Sequence, residues 1–101
     1  MATTTKVLFR GAATTTVGTT LYTVPASTTT VVSNIAVVNT TATAGTFDLA
    51  LNGTKLATTQ AIAASSTAYI DLKQVLAATN TITGGASAIT INFHISGVEI
   101  S

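Results

Sequence analysis

AITINFHISGVEIS, residues Ala88 to Ser101, sets Ile89, Ile91, Phe93 and Ile95 in alternation with Thr90, Asn92, His94 and Ser96. A period of two over this length is the pattern of a β-strand with one buried face. Beyond Gly97 the apolar residues Val98 and Ile100 fall on even numbers, whereas the earlier ones fall on odd numbers. If both sets are buried, one residue must be absorbed between them, and Gly97 is the expected site of a bulge. On that reading Val98 and Ile100 continue the buried side and His94 points to solvent. A strand this long needs cover along a whole face, which the remaining segments must supply.

Those segments also alternate. Val7 and Phe9 share one face of a first strand over Lys6 to Arg10, and residues 11–18 are small and polar, as in a loop. Thr19 to Val24 alternates up to Pro25, which cannot donate to a ladder. Val31 to Asn39 carries Ile35, Val37 and Val38 and reads as a buried strand. Phe47, Leu49 and Leu51 alternate with Asp48 and Ala50 before Asn52-Gly53, after which Thr54 to Ala57 returns. Asn-Gly accepts positive φ at both central positions of a two-residue hairpin. That hairpin should set Leu51 opposite Thr54, Leu49 opposite Leu56, and Asp48 diagonal to Lys55. Residues 58–66 read as a link, and Thr67 to Asp71 as another strand.

Asp71-Leu72-Lys73-Gln74-Val75-Leu76 departs from the period of two. Aspartate caps helices well, and Leu72, Val75 and Leu76 have i, i+3, i+4 spacing, so the expectation is one short helical turn over residues 71–76. A strand around Ile82 follows, with Gly84-Gly85 as the turn into the last strand. The total is about eight strands, which predicts an all-β, antiparallel two-sheet sandwich of jelly-roll or Greek-key connection. Residues 1–101 form a single domain by length, in which residues 1–18 are either a partly extended N-terminal arm or an ordinary first strand with a frayed lead.

Composition agrees with sheet. Threonine fills 24 of the 101 positions and alanine 17, and threonine covers the outer side of a strand without adding charge. Four basic and three acidic residues leave little repulsion between copies and no basic face for nucleic acid. There is no cysteine for a disulfide or thiolate site. No apolar run is long enough to span a bilayer, and the start has no secretory pattern.

Chemistry-bearing residues are sparse. His94 is the only histidine and has no local partner ligand, so it reads as solvated. Asp48, Asp71 and Glu99 are the only side-chain carboxylates, and the first two have structural readings as hairpin pair and helix cap. No nucleophile elbow, phosphate loop or dinucleotide motif is present. The sequons at Asn39 and Asn52 lack a secretory context, and Asn52 is needed for its turn. No catalytic residue, metal site or cofactor is expected, and the protein is read as not an enzyme.

LYTVPA (Leu21–Ala26), SNIAVVNTTATAGTF (Ser33–Phe47), AYIDLKQVL (Ala68–Leu76) and FHISGVEI (Phe93–Ile100) together resemble a group of small accessory virion proteins of tailed bacteriophages. The resemblance runs from about Thr19 onward, and none of its strings is a catalytic signature. It implies a compact β-sandwich that binds the outside of the phage head as a decoration protein, reinforcing capsomer contacts. The implied partners are the major capsid protein or other virion proteins, and further copies of itself, a trimer being favoured. Neither nucleic acid nor membrane is implied. The alternative is a minor tail or fibre-associated module that recognises a host surface glycan. The candidate interface residues are Lys6, Phe9 and Arg10, in the segment that would form the arm.

Overall fold

The computed structural model describes residues 3–16 and 18–101. Met1, Ala2 and Val17, the last within the expected 11–18 loop, lie outside the described residues. Eight strands follow in order: β1 Thr3–Ala12, β2 Thr20–Thr23, β3 Thr29–Asn39, β4 Gly45–Leu51, β5 Thr54–Ile62, β6 Thr67–Leu76, β7 Thr81–Ala86 and β8 Ile91–Ile100. They form two four-stranded antiparallel sheets, β1-β8-β3-β6 and β2-β7-β4-β5. Among the described residues only the β4–β5 hairpin stays within a sheet; the other strand-to-strand connections cross to the opposite one. The chain pairs outward from that hairpin, β4 with β5, β3 with β6, β2 with β7 and β1 with β8. It is thus one long double strand, rolled until β8 meets β3 and β7 meets β4. This is a jelly roll, and the Asn52-Gly53 turn is its tip.

Asn52 and Gly53 have φ of 48° and 83°, as the hairpin requires. Valine at Gly53 would be forced into a region that β-branched residues avoid. Gly53→Val should therefore cost at least about 1 kcal/mol in a urea titration. Leu51 pairs with Thr54 as expected, but Ala50 pairs with Lys55 and Leu49 with Ala57, so Leu56 is an extra residue at the surface and does not face Leu49. Asp48 and Lys55 approach to 3.8 Å. Asp48 also accepts the Thr59 amide at 3.2 Å, fixing a second irregularity where Thr59 has φ 45°. β5 accordingly continues through much of the expected link, to Ile62.

The inner sides of both sheets meet in one core. Phe93 and Ile95 of β8, Ile35 and Val37 of β3, and Phe47, Leu49 and Ile82 of the other sheet are essentially without exposure. The Phe47 and Phe93 rings contact edge to face across the sandwich, 6.2 Å apart and inclined by 73°. Asn39 is also buried, its amide donating to the carbonyls of Thr43 and Ala63, so the first sequon ties loops together inside the protein.

Four further expectations are corrected. Residues 71–76 are not a helical turn; they complete β6. Asp71 pairs with Asn34, whose Nδ2 donates to its carboxylate at 3.4 Å, and the register slips at Leu72-Lys73. That slip, not helical period, explains the spacing: Leu72 and Leu76 face the core while Val75 is 66 % exposed. Gly84-Gly85 is not a turn but the buried middle of β7. A Cβ on Gly84 would lie 2.7 Å from the Asp48 carbonyl oxygen, so the glycine serves close strand packing. Ile89 belongs to the β7–β8 turn and is exposed rather than buried.

The fourth concerns Gly97. β8 runs through it without a break in alternation, so Gly97 and Glu99 take the inner side and Val98 and Ile100 the outer one. The extra residues sit in the neighbouring strands, at Leu8 of β1 and Ser33 of β3. The one at Leu8 puts Val7 and Phe9, expected on one face, on opposite faces: Val7 outward and Phe9 against the core. The bulge exists, but it flanks the glycine instead of containing it.

Candidate functional site

The two outer faces differ in character. On the β2-β7-β4-β5 sheet the outward residues opposite one another include Thr83, Ala50 and Lys55, with Asp48 opposite Gly85, so that face is small, polar and internally charge-paired. On the β1-β8-β3-β6 sheet, residues from all four strands line up in rows. Thr5, Val98, Val31 and Val75 form one; Val7, Ser96, Asn34 and Asp71 the next; Arg10, His94, Ala36 and Tyr69 a third; Ala12, Asn92, Val38 and Thr67 a fourth. Ile100 lies beyond the first row, between Thr3 and Thr29. Tyr69 and Val75 are 71 % and 66 % exposed, and Val7 is exposed as well. The face thus mixes exposed apolar side chains with neutral polar ones and carries few charges.

Of the three candidate interface residues, the fold puts only Arg10 on this face. Lys6 reaches along β1 to Glu99 at 3.3 Å, and Phe9 packs partly buried against the core. Residues 3–12, the segment of the expected arm, are hydrogen-bonded to β8 along their length as edge strand β1.

Glu99 closes one end of the interior. The Tyr22 hydroxyl donates to its carboxylate and also meets Thr30 Oγ1 at 2.9 Å, with Tyr22 and Thr30 both buried. The hydrogen bond from Tyr22, aided by Lys6, outweighs partial burial and holds the Glu99 carboxyl below the usual range. Burial, then the carboxylate beside it, pushes the Tyr22 phenol above its ordinary value. A depressed carboxyl pKa gives stability that is present at neutral pH and is lost as pH falls through the folded-state value. A raised phenol pKa gives stability that is present below the ordinary tyrosine range and is lost as pH rises beyond it. Tyr22→Phe should cost about 1–3 kcal/mol at pH 7, since Glu99 and Thr30 lose their shared partner. It should also flatten the acid limb of a stability–pH curve measured by urea unfolding; an unchanged limb would refute the role given to Tyr22.

The three carboxylates occupy three separate surfaces: Asp48 on one outer face, Asp71 on the other, Glu99 between the sheets. Among the described residues no group of three or more His, Cys, Asp or Glu side chains could hold a metal ion. His94 stands on the outer face between Arg10 and Ala36.

No protein-family model and no curated protein sequence matches the chain. Among solved structures, the chain is similar over its whole length to the Agl-KA catalytic domain, at 13 % identity and a TM-score of 0.42, and spans 28 % of that chain. It is also similar to CBM35 from Paenibacillus barcinonensis, at 11 % identity and a TM-score of 0.41, with both chains fully covered. Likeness at this level carries no inference about function.

Proposed function

We propose that this chain is a non-enzymatic accessory structural protein of the tailed-phage virion, a decoration protein held on the outside of the head in many copies. The resemblance of four segments supports this reading, and one structural observation carries it. The outer face of the β1-β8-β3-β6 sheet presents Val7, Val31, Val75, Val98, Ile100 and Tyr69 interspersed with mostly neutral polar side chains, which suits a protein that works by contact. Reinforcement of capsomers would then come from the area covered, without any bound cofactor.

Tyr69 favours the second reading. A tyrosine 71 % exposed on a flat face is a platform on which a sugar ring can stack, as a tail or fibre-associated glycan module would need. Imaging of purified particles separates the two. Density for this fold spread over the head at high copy number is the expected result, and a few copies confined to the tail would replace it with the second reading.

A further inference from the structure

We propose that the outer face of the β1-β8-β3-β6 sheet is complementary to itself, so that two copies pack face to face about a twofold axis running along the strands. The observation behind this is the placement of unpaired charge. Glu99 and Asp48 are ion-paired with Lys6 and Lys55. Among the described residues Asp71 is then the one acid without an ionic partner, and it lies on the same outer face as Arg10, likewise unpaired. They sit on opposite edge strands, β6 and β1, in adjacent rows. Three strand spacings of about 4.8 Å separate those edges, about 14 Å, too far for a pair within one copy.

A twofold axis in the interface, between β8 and β3, reverses each row over itself. β1 of one copy then lies over β6 of the second, and Arg10 falls on Tyr69 with Asp71 one row away. The guanidinium would stack on that ring and reach that carboxylate, twice per dimer by symmetry. In the first row Val98 meets Val31 and Val75 meets Thr5, so apolar surface covers apolar surface. In the third, His94 meets Ala36, a large residue on a small one. Lys73, two residues along β6 from Asp71 and outside both ion pairs, lines one shallow depression with Ser33 and Asp71, so each copy brings a second cation to that edge of the face. The sandwich measures 45 × 21 × 18 Å, so one sheet face offers on the order of the ~800 Å² per partner that a stable interface buries. Strand-to-strand growth at the edges is the less favoured route, because both β1 and β6 are irregular, at Leu8 and at Leu72-Lys73.

This inference draws on the same face as the functional reading, but it concerns the chain free of particles and is tested there. Sedimentation equilibrium of the full chain should show a monomer–dimer system at micromolar concentration. Arg10→Glu and Asp71→Arg should each raise the dimer dissociation constant at least about tenfold, and the double swap should bind more tightly than either single variant. Val75→Asp, at an exposed position, should give a monomer whose circular dichroism is that of the parent. A monomer at all concentrations, a trimer indifferent to these changes, or a double swap no tighter than the singles would overturn the proposal. If the monomer nonetheless decorates particles, the face belongs to the shell, and the functional reading survives without the dimer.

Discussion

Phe93→Ala should lower the stability of the sandwich by about 3–5 kcal/mol, the range for deleting a large aromatic side chain from a core that cannot collapse around the loss. Phe93 lies in β8, a strand paired on both sides, by β1 and β3. It is fully buried and meets Phe47 of the opposite sheet edge to face. The two backbones that hold these rings are fixed by their own ladders, so the gap should persist as a cavity. Domains of this size are stable by about 5–15 kcal/mol, so the variant should lose a large fraction of the total. Phe93→Leu keeps most of the volume and should cost only about 1–2 kcal/mol. The measurement is the urea midpoint at fixed protein concentration with an unchanged slope. A loss below about 2 kcal/mol for Phe93→Ala would mean that the sheets close over the gap.

The role of Phe93 was legible in the sequence, since strict alternation with Asn92, His94 and Ser96 sorts inner from outer residues. The hairpin tip was legible too, because Asn-Gly has a local conformational reason to be where it is. What alternation does not report is an extra residue in a neighbouring strand. Leu72, Val75 and Leu76 imitate helical spacing because β6 slips against β3, and the slip is decided by Ser33 and Asn34, nearly forty residues earlier. Gly84-Gly85 resembles a turn because a glycine required by the nearby Asp48 carbonyl looks, in one dimension, like a glycine required by positive φ. The outer face was hidden for a related reason. Arg10, His94, Ala36 and Tyr69 form one row only after the chain is rolled, and nothing local to any of them names its neighbours. Glu99 was the missed signal: a carboxylate needs a partner if it is to face inward, and Lys6 supplies it once β1 lies along β8.

Gly97→Ala should be the most damaging single-methyl change in the protein, costing about 3 kcal/mol or more, the upper end for overpacking. A Cβ at this position would stand 2.3 Å from the Val31 carbonyl oxygen and 3.0 Å from Leu8 Cδ1. Neither obstacle is incidental. β8 gives up a side chain at Gly97, the bulge in β1 turns Leu8 into the space, and the irregularity in β3 brings its backbone close from the other side. The resulting contact lets β8 keep its register on to Glu99, which seals the end of the interior with Tyr22 and Lys6. The two obstacles can be told apart. Leu8→Ala in the Gly97→Ala background removes the side-chain contact and leaves the carbonyl contact in place. Because the carbonyl is the nearer and is held by the β3 ladder, the double variant should remain at least as unstable as Gly97→Ala. Recovery of stability in the double variant, read from urea unfolding, would show that Leu8 and not the β3 backbone demands glycine at this position.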